Sequence, residues 1–213
     1  MVVETNACFI EEETILDSRD VSYYLDLDGM YGTDPTLSWN KIFANEQPVE
    51  IEIGIGKGRF LIDAVQRHPE INFIGVEWAA KYLRVAHDRM IQKDVSNIRF
   101  IRADAREFIE FFVPSESIRA YHVYFPDPWP KKKHHKRRLI NEVFLAEIER
   151  TLISGGKLWI ATDHSEYYEE ILAVLATSRC LRETEETWEG RRTNYEEKFI
   201  GQGKPIHRKV MEK

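Results

Sequence analysis

Hydrophobic positions from residue 48 onward fall into two alternating patterns. Residues 49–53 alternate between apolar side chains and glutamates, which is the spacing of a β-strand. In the segment that follows, apolar residues recur every three or four positions up to Pro69, which predicts a helix that ends before this proline. Together, the two patterns predict one strand followed by one helix.

The same unit of strand and helix recurs along the chain. One of the helices is predicted over residues 138–152, with Val143 among its inward-facing residues and Gly155-Gly156 as its C-terminal cap. Strands that alternate with helices are typical of a parallel sheet covered on both faces, so we predict a doubly wound α/β fold. The later strands are predicted over residues 72–77, 98–104, 121–126, 157–163 and 206–210.

Residues 1–40 do not show this periodicity. They are rich in acids and contain turn-like patches such as Asp28-Gly29. We therefore predict an irregular acidic arm over residues 1–40 and one α/β domain over residues 41–213. A length of 213 residues suffices for one such domain but is short for two.

The distribution of charge changes the meaning of the total. A net charge of −6 argues at first against a nucleic-acid partner, which usually selects a basic surface. However, residues 1–50 carry eleven acids and two bases, a net charge of −9, so the total of −6 leaves +3 for the rest. The acidic N-terminal segment thus masks a mildly basic body, in which local clusters decide where a polyanion can dock.

Other features of the composition concern location and redox chemistry. No apolar run approaches the roughly 18 residues that a membrane span needs. The N-terminus also lacks the pattern of a secretory signal. Cys8 and Cys180 lie far apart and have no companion Cys or His at metal-ligand spacing. We therefore expect a cytoplasmic protein without membrane association, disulfide or metal.

Acidic residues occur at or near the carboxyl ends of five predicted strands. In an open parallel sheet these ends border the crevice in which ligands bind, so the acids are expected to line one pocket. A row of carboxylates suits a cationic ligand that carries hydroxyl groups. Alternatively, each acid could cap the helix that follows it. The five residues are Glu52, Glu77, Asp104, Asp127 and Asp163.

A glycine-rich loop lies between the first predicted strand and helix. Gly54, Gly56 and Gly58 let the backbone take positive φ and let a ligand approach closely, although a tight turn for packing is also possible. Arg59 and Gly58 do not fit the dinucleotide and P-loop patterns, so a ligand without pyrophosphate is favoured. Glu77 is placed to bind ribose hydroxyls. These features together favour S-adenosylmethionine, whose sulfonium would be attracted to Glu52 or Asp127.

Three prolines in five residues, Pro126, Pro128 and Pro130, follow the fourth predicted strand. They restrict the backbone, so we expect a stiff loop that holds Asp127 and Trp129 at the rim of the pocket. Trp129 could grip a flat base there, or it could pack as a hydrophobic lid.

A basic run follows this loop directly. Eight residues, 131–138, carry six formal positive charges and two histidines. Such runs are often only solvated surface, but at the rim of a cofactor pocket this one could seat RNA phosphates. The candidates for contacts with the RNA backbone are Lys132, Lys133, Lys136, Arg137 and Arg138.

These segments resemble the bacterial tRNA (guanine-N7-)-methyltransferases over residues 49–210. The likeness rests on the glycine loop, on the Pro-Asp-Pro-Trp-Pro-Lys string with its basic tail, and on four shorter segments. It implies a seven-stranded, mostly parallel, Rossmann-like methyltransferase sheet whose last strand is antiparallel. The shorter segments are Ile74-Gly75-Val76-Glu77, Ala103-Asp104-Ala105, Thr162-Asp163 and Thr193-Asn194-Tyr195-Glu196.

The resemblance also implies roles for individual residues. Glu52, Glu77 and Asp104 would bind S-adenosylmethionine, which leaves as S-adenosylhomocysteine, and Asp127 would lie at the catalytic centre. The guanosine at position 46 of the tRNA variable loop would be bound by Lys131, Asp163, Thr193, Asn194, Tyr195 and Glu196. Members of the family commonly begin with an Arg-rich arm, whereas only Arg19 precedes Lys41 here. Both a monomer and a homodimer are compatible with the sequence.

Three other functions remain possible at this point. A methyltransferase for a small molecule or a protein could use the same fold, although the basic run disfavours it. A nicotinamide-dependent oxidoreductase is opposed by the imperfect glycine pattern. A non-catalytic RNA-binding protein would not require carboxylates at successive strand ends.

Overall fold

The computed structural model describes residues 36–91, 93, 95–186 and 193–213, without the side chains of Asn194, Tyr195 and Glu197. Predictions for residues 1–35 lie outside this range. The described chain contains one seven-stranded sheet with the order β3-β2-β1-β4-β5-β7-β6. Its strands are β1 (Val49–Ile53), β2 (Asn72–Val76), β3 (Ile98–Ile101), β4 (Ile118–Tyr124), β5 (Leu152–Thr162), β6 (Arg182–Glu183) and β7 (His207–Glu212).

The pairing of the strands confirms the predicted fold. Strands β1 to β5 pair in parallel, whereas β7 runs antiparallel to both β5 and β6. From β1 the chain adds β2 and β3 on one side, and it then crosses to add β4 and β5 on the other. The crevice between β1 and β4 is therefore the topological switch point, where doubly wound sheets bind their ligands.

Helices cover both faces of the sheet. One face packs α2 and α3 against Phe73 and Phe100. The other packs α1, α4, α5 and α6 against Ile51 and Ile53. The helices are α1 (Trp39–Phe43), α2 (Arg59–Arg67), α3 (Ala80–Ile91), α4 (Ala105–Phe112), α5 (Glu142–Thr151), α6 (Ser165–Leu175) and α7 (Asn194–Gly201), and residues Lys132–Arg137 form a 3₁₀ helix.

The helix predicted over residues 138–152 is shorter, and its predicted cap is wrong. The Asn141 side chain accepts a hydrogen bond from the Phe144 N–H and starts α5 at Glu142. Strand β5 begins at Leu152 and runs through Gly155-Gly156, where Gly155 has φ +75° and the pairing with β4 shifts register. The glycines therefore lie in an irregular strand and do not end a helix. Val143, predicted to face inward, is 73% exposed.

Two further differences concern the edges of the domain. Strand β6, which the sequence pattern does not predict, has two residues and pairs only with β7 among the described strands. Leu37 and Trp39 are buried in the core, and the Leu37 N–H donates to the Phe112 carbonyl at 2.9 Å. The packed part of the chain thus begins by Leu37, before the predicted boundary at residue 41.

Candidate active site

The glycine loop joins β1 to α2 at the switch point. A Cβ added at Gly58 would lie 2.8 Å from the Ala86 Cβ, so the absence of a side chain there lets α2 and α3 approach closely. At Gly56, where φ is +52°, an added Cβ would have no atom within 4 Å among the described residues. The loop therefore has a packed side, set by Gly58, and an open side over Gly54 and Gly56 that a ligand can cover.

Glu77 braces this loop from the end of β2. Its Oε2 accepts a hydrogen bond from the Gly56 N–H at 2.9 Å, and its Oε1 accepts one from the Ala79 N–H at 2.8 Å. A carboxylate can accept about four hydrogen bonds, so both oxygens keep acceptor capacity for a ligand. The adjacent Trp78 is 61% exposed. The sequence reasoning missed Trp78, although an aromatic directly after a strand-end acid was available as a signal.

The Glu52 carboxyl is buried beneath the loop. The residue is 3% exposed, and the Leu61 N–H in the first turn of α2 hydrogen-bonds the carboxyl. Oε2 has no hydrogen-bond partner among the described residues. Burial raises the pKa of Glu52 well above its ordinary value, and the charge of Glu77 raises it further. A buried carboxyl oxygen without a protein partner is able to accept a further hydrogen bond or to face a cation.

Asp104 acts as a helix cap, the alternative that the sequence left open. Its side chain accepts a hydrogen bond from the Arg106 N–H at 2.9 Å, and it pairs with the Arg106 guanidinium at the same distance. Burial acts to raise the pKa of Asp104, but the contacts with Arg106 outweigh it and lower the pKa. The carboxylate is partly exposed at the end of β3, so capping and ligand binding are compatible.

The proline-rich loop contains two residues with unfavourable backbone geometry. Phe125 has φ +53° and Trp129 has φ +43°, in the left-handed region that bulky side chains rarely occupy. Asp127, between them, is exposed, and its side chain has no hydrogen bond or ion pair with the described residues. The Trp129 ring packs edge-on to the His134 ring at 5.7 Å, and the Arg137 guanidinium lies 5.0 Å from its centroid. The loop thus holds Trp129 against the basic 3₁₀ helix.

The basic run divides into exposed and buried cations. Arg138 is 3% exposed and its side chain contacts other parts of the protein. The predicted contact of Arg138 with the RNA backbone is disfavoured, because the guanidinium is already engaged and shielded from solvent. The exposed members are Lys131, Lys132, Lys133, Lys136 and Arg137.

Two predicted substrate acids already face cations. Asp163, just after β5, lies 3.2 Å from the Lys204 Nζ, and Glu196 in α7 pairs with Arg208 of β7. Thr193 caps α7, because its hydroxyl accepts a hydrogen bond from the Glu196 N–H at 3.1 Å. The side chains of Asn194 and Tyr195 lie outside the described part of the chain.

Tyr124 lies near both the acids of β1 and Glu196 of α7. Its hydroxyl lies 2.9 Å from the His122 Nδ1, and the His122 Nε2 lies 2.9 Å from a Glu50 carboxylate oxygen. Burial raises the pKa of Tyr124, and the charges of Glu52, Glu50 and Glu196 raise it further. The sequence reasoning missed this buried polar chain, although polar residues inside strand-like runs mark it.

Contacts bring some predicted site residues together and leave others apart. Glu52, Glu77 and Gly56 form one cluster, and the charges around Tyr124 link it to Glu196. The Phe125 and Phe199 rings, 5.5 Å apart, connect the proline-rich loop to α7. Four further predicted residues share the same edge of the sheet, at strand ends or in the loop after β4, without hydrogen bonds or ion pairs to that cluster: Asp104, Asp127, Lys131 and Asp163. No helix in the described chain is long and apolar enough to cross a membrane.

Comparisons with known proteins agree with this geometry. A family described as "Putative methyltransferase" matches residues 46–209. A tRNA (guanine-N(7)-)-methyltransferase of Geobacillus thermodenitrificans is 37% identical over 177 residues, which cover 80% of this chain and 82% of the relative.

Solved structures show a similar fold at low sequence identity. The aminoglycoside resistance methyltransferase NpmB1 matches with a TM-score of 0.57 and 17% identity, over 80% of this chain and 89% of that one. TrmN from Thermus thermophilus matches with a TM-score of 0.57 and 18% identity, over 82% of this chain and 46% of that one. At these identities the likeness concerns the fold alone.

Proposed function

We propose a function for this chain from the premise that it belongs to the tRNA (guanine-N7-)-methyltransferase family. It transfers a methyl group from S-adenosylmethionine to N7 of a guanosine in tRNA, at position 46 of the variable loop. The structural observation that carries the proposal is the buried Glu52 carboxyl with an unpartnered oxygen, next to a glycine loop with an open side.

The residues around β1 and β2 fit S-adenosylmethionine. Glu52 offers a carboxyl to the positively charged end of the ligand, and Gly54 and Gly56 leave space for it above the loop. Glu77 has acceptor capacity for the ribose hydroxyls, and Trp78 offers an exposed ring face to the adenine. When bound, S-adenosylmethionine supplies an electrophilic methyl group. Asp104, partly exposed at the end of β3, is proposed as a polar contact to the adenine edge.

Guanine N7 carries a lone pair and no proton, so its methylation requires no general base. The protein therefore has to position the base and compensate charge, and positioning alone can be worth roughly 7–11 kcal/mol. Asp127 is exposed at the rim and has no partner among the described residues. We assign it to accept hydrogen bonds from the N1–H and N2 amino edge of guanine, or to offset positive charge that develops on the ring.

The substrate side uses residues from β5, α7 and the basic 3₁₀ helix. Asp163 and Glu196 provide further acceptors, each now facing a cation. The exposed lysines of the run from Lys131 to Lys136 neutralise tRNA phosphates and orient the target base, but they carry no sequence information. Because the substrate is tRNA, the activity is assigned to the cytoplasm, in a monomer or a homodimer.

The first experiment tests the reaction itself. The protein is incubated with radiolabelled S-adenosylmethionine and bulk tRNA, and the product is analysed by strand cleavage chemistry selective for N7-methylguanosine. Cleavage at position 46 of the variable loop is expected. Label in tRNA without that cleavage, or no label at all, would contradict the proposal.

The second experiment tests Asp127. We expect Asp127→Asn to retain the affinity for S-adenosylmethionine and to lower the single-turnover rate by about 10²- to 10³-fold, because an amide cannot compensate charge as a carboxylate does. Binding is measured by calorimetry, and methyl transfer by rapid quench at saturating tRNA. A near-normal single-turnover rate would remove Asp127 from the mechanism.

A further inference from the structure

Arg138 ends the basic run, but its side chain points into the protein. The Nε–H donates a hydrogen bond to the Pro128 carbonyl at 2.7 Å. Pro128 lies between Asp127 and Trp129, so this bond fixes the middle of the proline-rich loop. It is the one hydrogen bond between the Arg138 side chain and that loop among the described residues.

The rest of the guanidinium is held by α6 and by the 3₁₀ helix. It pairs with Glu170 and lies 3.7 Å from Glu166, both in α6, and its Nη2 lies 3.1 Å from the His135 Nε2. The guanidinium carbon also lies 4.8 Å from the centroid of the buried Tyr167 ring. Arg138 therefore connects the proline-rich loop to a helix of the core.

We propose that Arg138 is a positioning residue for methyl transfer, which clamps the proline-rich loop onto α6 and so holds Asp127 at the rim of the site. The inference rests on the function proposed above. In this role Arg138 affects the rate of methyl transfer through the position of Asp127, and it does not bind RNA phosphates.

The backbone of the loop explains why such a clamp is required. The left-handed φ of Phe125 and of Trp129 costs of order 1–3 kcal/mol at each residue and persists only where surrounding contacts over-determine it. The three prolines limit the alternatives by fixing φ at their own positions only. Without the bond to Pro128, the loop can relax, and Asp127 moves with it.

Two other roles for Arg138 and the side chains around it have less support. His135, Glu166 and Glu170 present atoms close enough to share a metal ion, but the Arg138 guanidinium already occupies the space between the carboxylates. A phosphate contact requires an accessible guanidinium, whereas this one is buried.

The test compares three variants of the full-length protein. Arg138→Lys keeps the positive charge but cannot hold Pro128 and Glu170 together. Lys136→Gln removes an exposed charge of the same 3₁₀ helix. Arg150→Lys is the matched control, because Arg150 clamps the Val113 and Ile109 carbonyls and Glu147 at the opposite edge of the sheet.

For Arg138→Lys we expect a single-turnover rate lowered roughly 10- to 100-fold at saturating tRNA, an unchanged affinity for S-adenosylmethionine, and an unchanged salt dependence of tRNA binding. Lys136→Gln should reduce the log–log salt slope by roughly 0.7–0.9 for the lost phosphate contact. Arg150→Lys should lower the melting temperature without changing the rate per folded molecule.

A readout independent of catalysis separates this inference from the proposed function. Native-state trypsin cleavage after Lys131, Lys132 and Lys133 should accelerate at least several-fold in Arg138→Lys and remain at the wild-type rate in Arg150→Lys. Glu170→Gln, at an exposed position of α6, should accelerate it less in the same direction. The inference is overturned if Arg138→Lys lowers the salt slope as Lys136→Gln does, or if its proteolysis remains at the wild-type rate.

Discussion

Glu52 is a single residue whose burial opposes folding and favours ligand binding. Because its pKa is raised in the folded protein, the folded state holds the proton more tightly than the unfolded chain does. Full stability is therefore present below the unfolded pKa of about 4.3, and it is lost as the pH rises through the folded pKa.

We accordingly predict that Glu52→Gln raises the melting temperature of the ligand-free protein at pH 8 by a few degrees, since Gln cannot ionise. It should also weaken S-adenosylmethionine binding at least roughly tenfold. Differential scanning calorimetry and titration calorimetry measure the two effects, with Glu107→Gln, an exposed change in α4, as the control. A variant that is less stable at pH 8 would contradict the assigned cause.

Glu50 has the same residue type and nearly the same burial, but its environment has the opposite effect. Burial acts to raise the pKa of Glu50, but the hydrogen bond and charge of His122 and the charge of Arg119 outweigh it and lower the pKa. Its contribution to stability is present above about pH 4.3 and is lost as the pH falls through the lowered pKa.

Glu50→Gln should therefore cost about 2 kcal/mol of unfolding free energy at pH 7, as expected for a lost charged hydrogen bond. The difference from the wild-type protein should shrink as the pH falls through the lowered pKa of Glu50, because the carboxyl is then protonated in the folded state as well as in the unfolded one. Urea unfolding at a series of pH values measures it. If the difference in unfolding free energy did not depend on pH, the loss would come from the packing of the side chain and not from the charge of Glu50.

At the scale of elements, the five residues of the glycine loop, 54–58, serve two purposes. Gly58 allows close packing of α2 and α3, and Gly54 and Gly56 leave space for a ligand. Gly58→Ala should destabilise the protein by about 2 kcal/mol or more, because the new methyl group meets Ala86 in α3. Gly203→Ala is the matched control, since φ there is +67° but nothing lies within 4 Å of the added Cβ. It should cost only about 1 kcal/mol for the backbone conformation. Equal losses would exclude the contact with Ala86 as the cause.

The sequence predicted most elements, because strand and helix periods differ and prolines end the segments. It failed at α5 and β5, where Gly155-Gly156 satisfies the rules for a helix cap but lies within a strand. It also could not determine that β1 is central. The alternation in residues 49–53 is typical of a strand with one solvent-exposed face, whereas every residue of β1 is buried.

The candidate site was predictable where it depends on the ends of consecutive strands. Glu52 and Glu77 lie together as the βα pattern requires. The partners of Asp163 and Glu196 were not predictable, because Lys204 and Arg208 come from a part of the chain that has no spacing rule relative to them. The burial of Arg138 depends on α6, and a run of basic residues does not reveal which member turns inward.

At the scale of the whole molecule, the exposed lysines after β4 dominate the predicted interaction with tRNA. Replacing Lys131, Lys132, Lys133 and Lys136 by Gln should lower the log–log salt slope of tRNA binding by up to about 3.6 units, or roughly 0.7–0.9 for each lost contact. Filter binding between low and moderate salt measures it. A double Lys41→Gln and Lys93→Gln variant, near the opposite edge of the sheet, should leave the slope unchanged. An unchanged slope in the fourfold variant would make the basic run bystander surface.

The antiparallel strand β7 lies between β5 and β6. Its position means that the cofactor-binding part and the base-binding part of the proposed site depend on different strand pairings. The proposed binding site for S-adenosylmethionine is formed by residues 49–104, whose strands pair with near neighbours in the chain. The proposed site for the guanosine requires β7 to pair with β5 and to bring Arg208 to Glu196. With these proposed sites, a partly unfolded molecule that has lost β7 would still bind the methyl donor but would have no ordered site for the base.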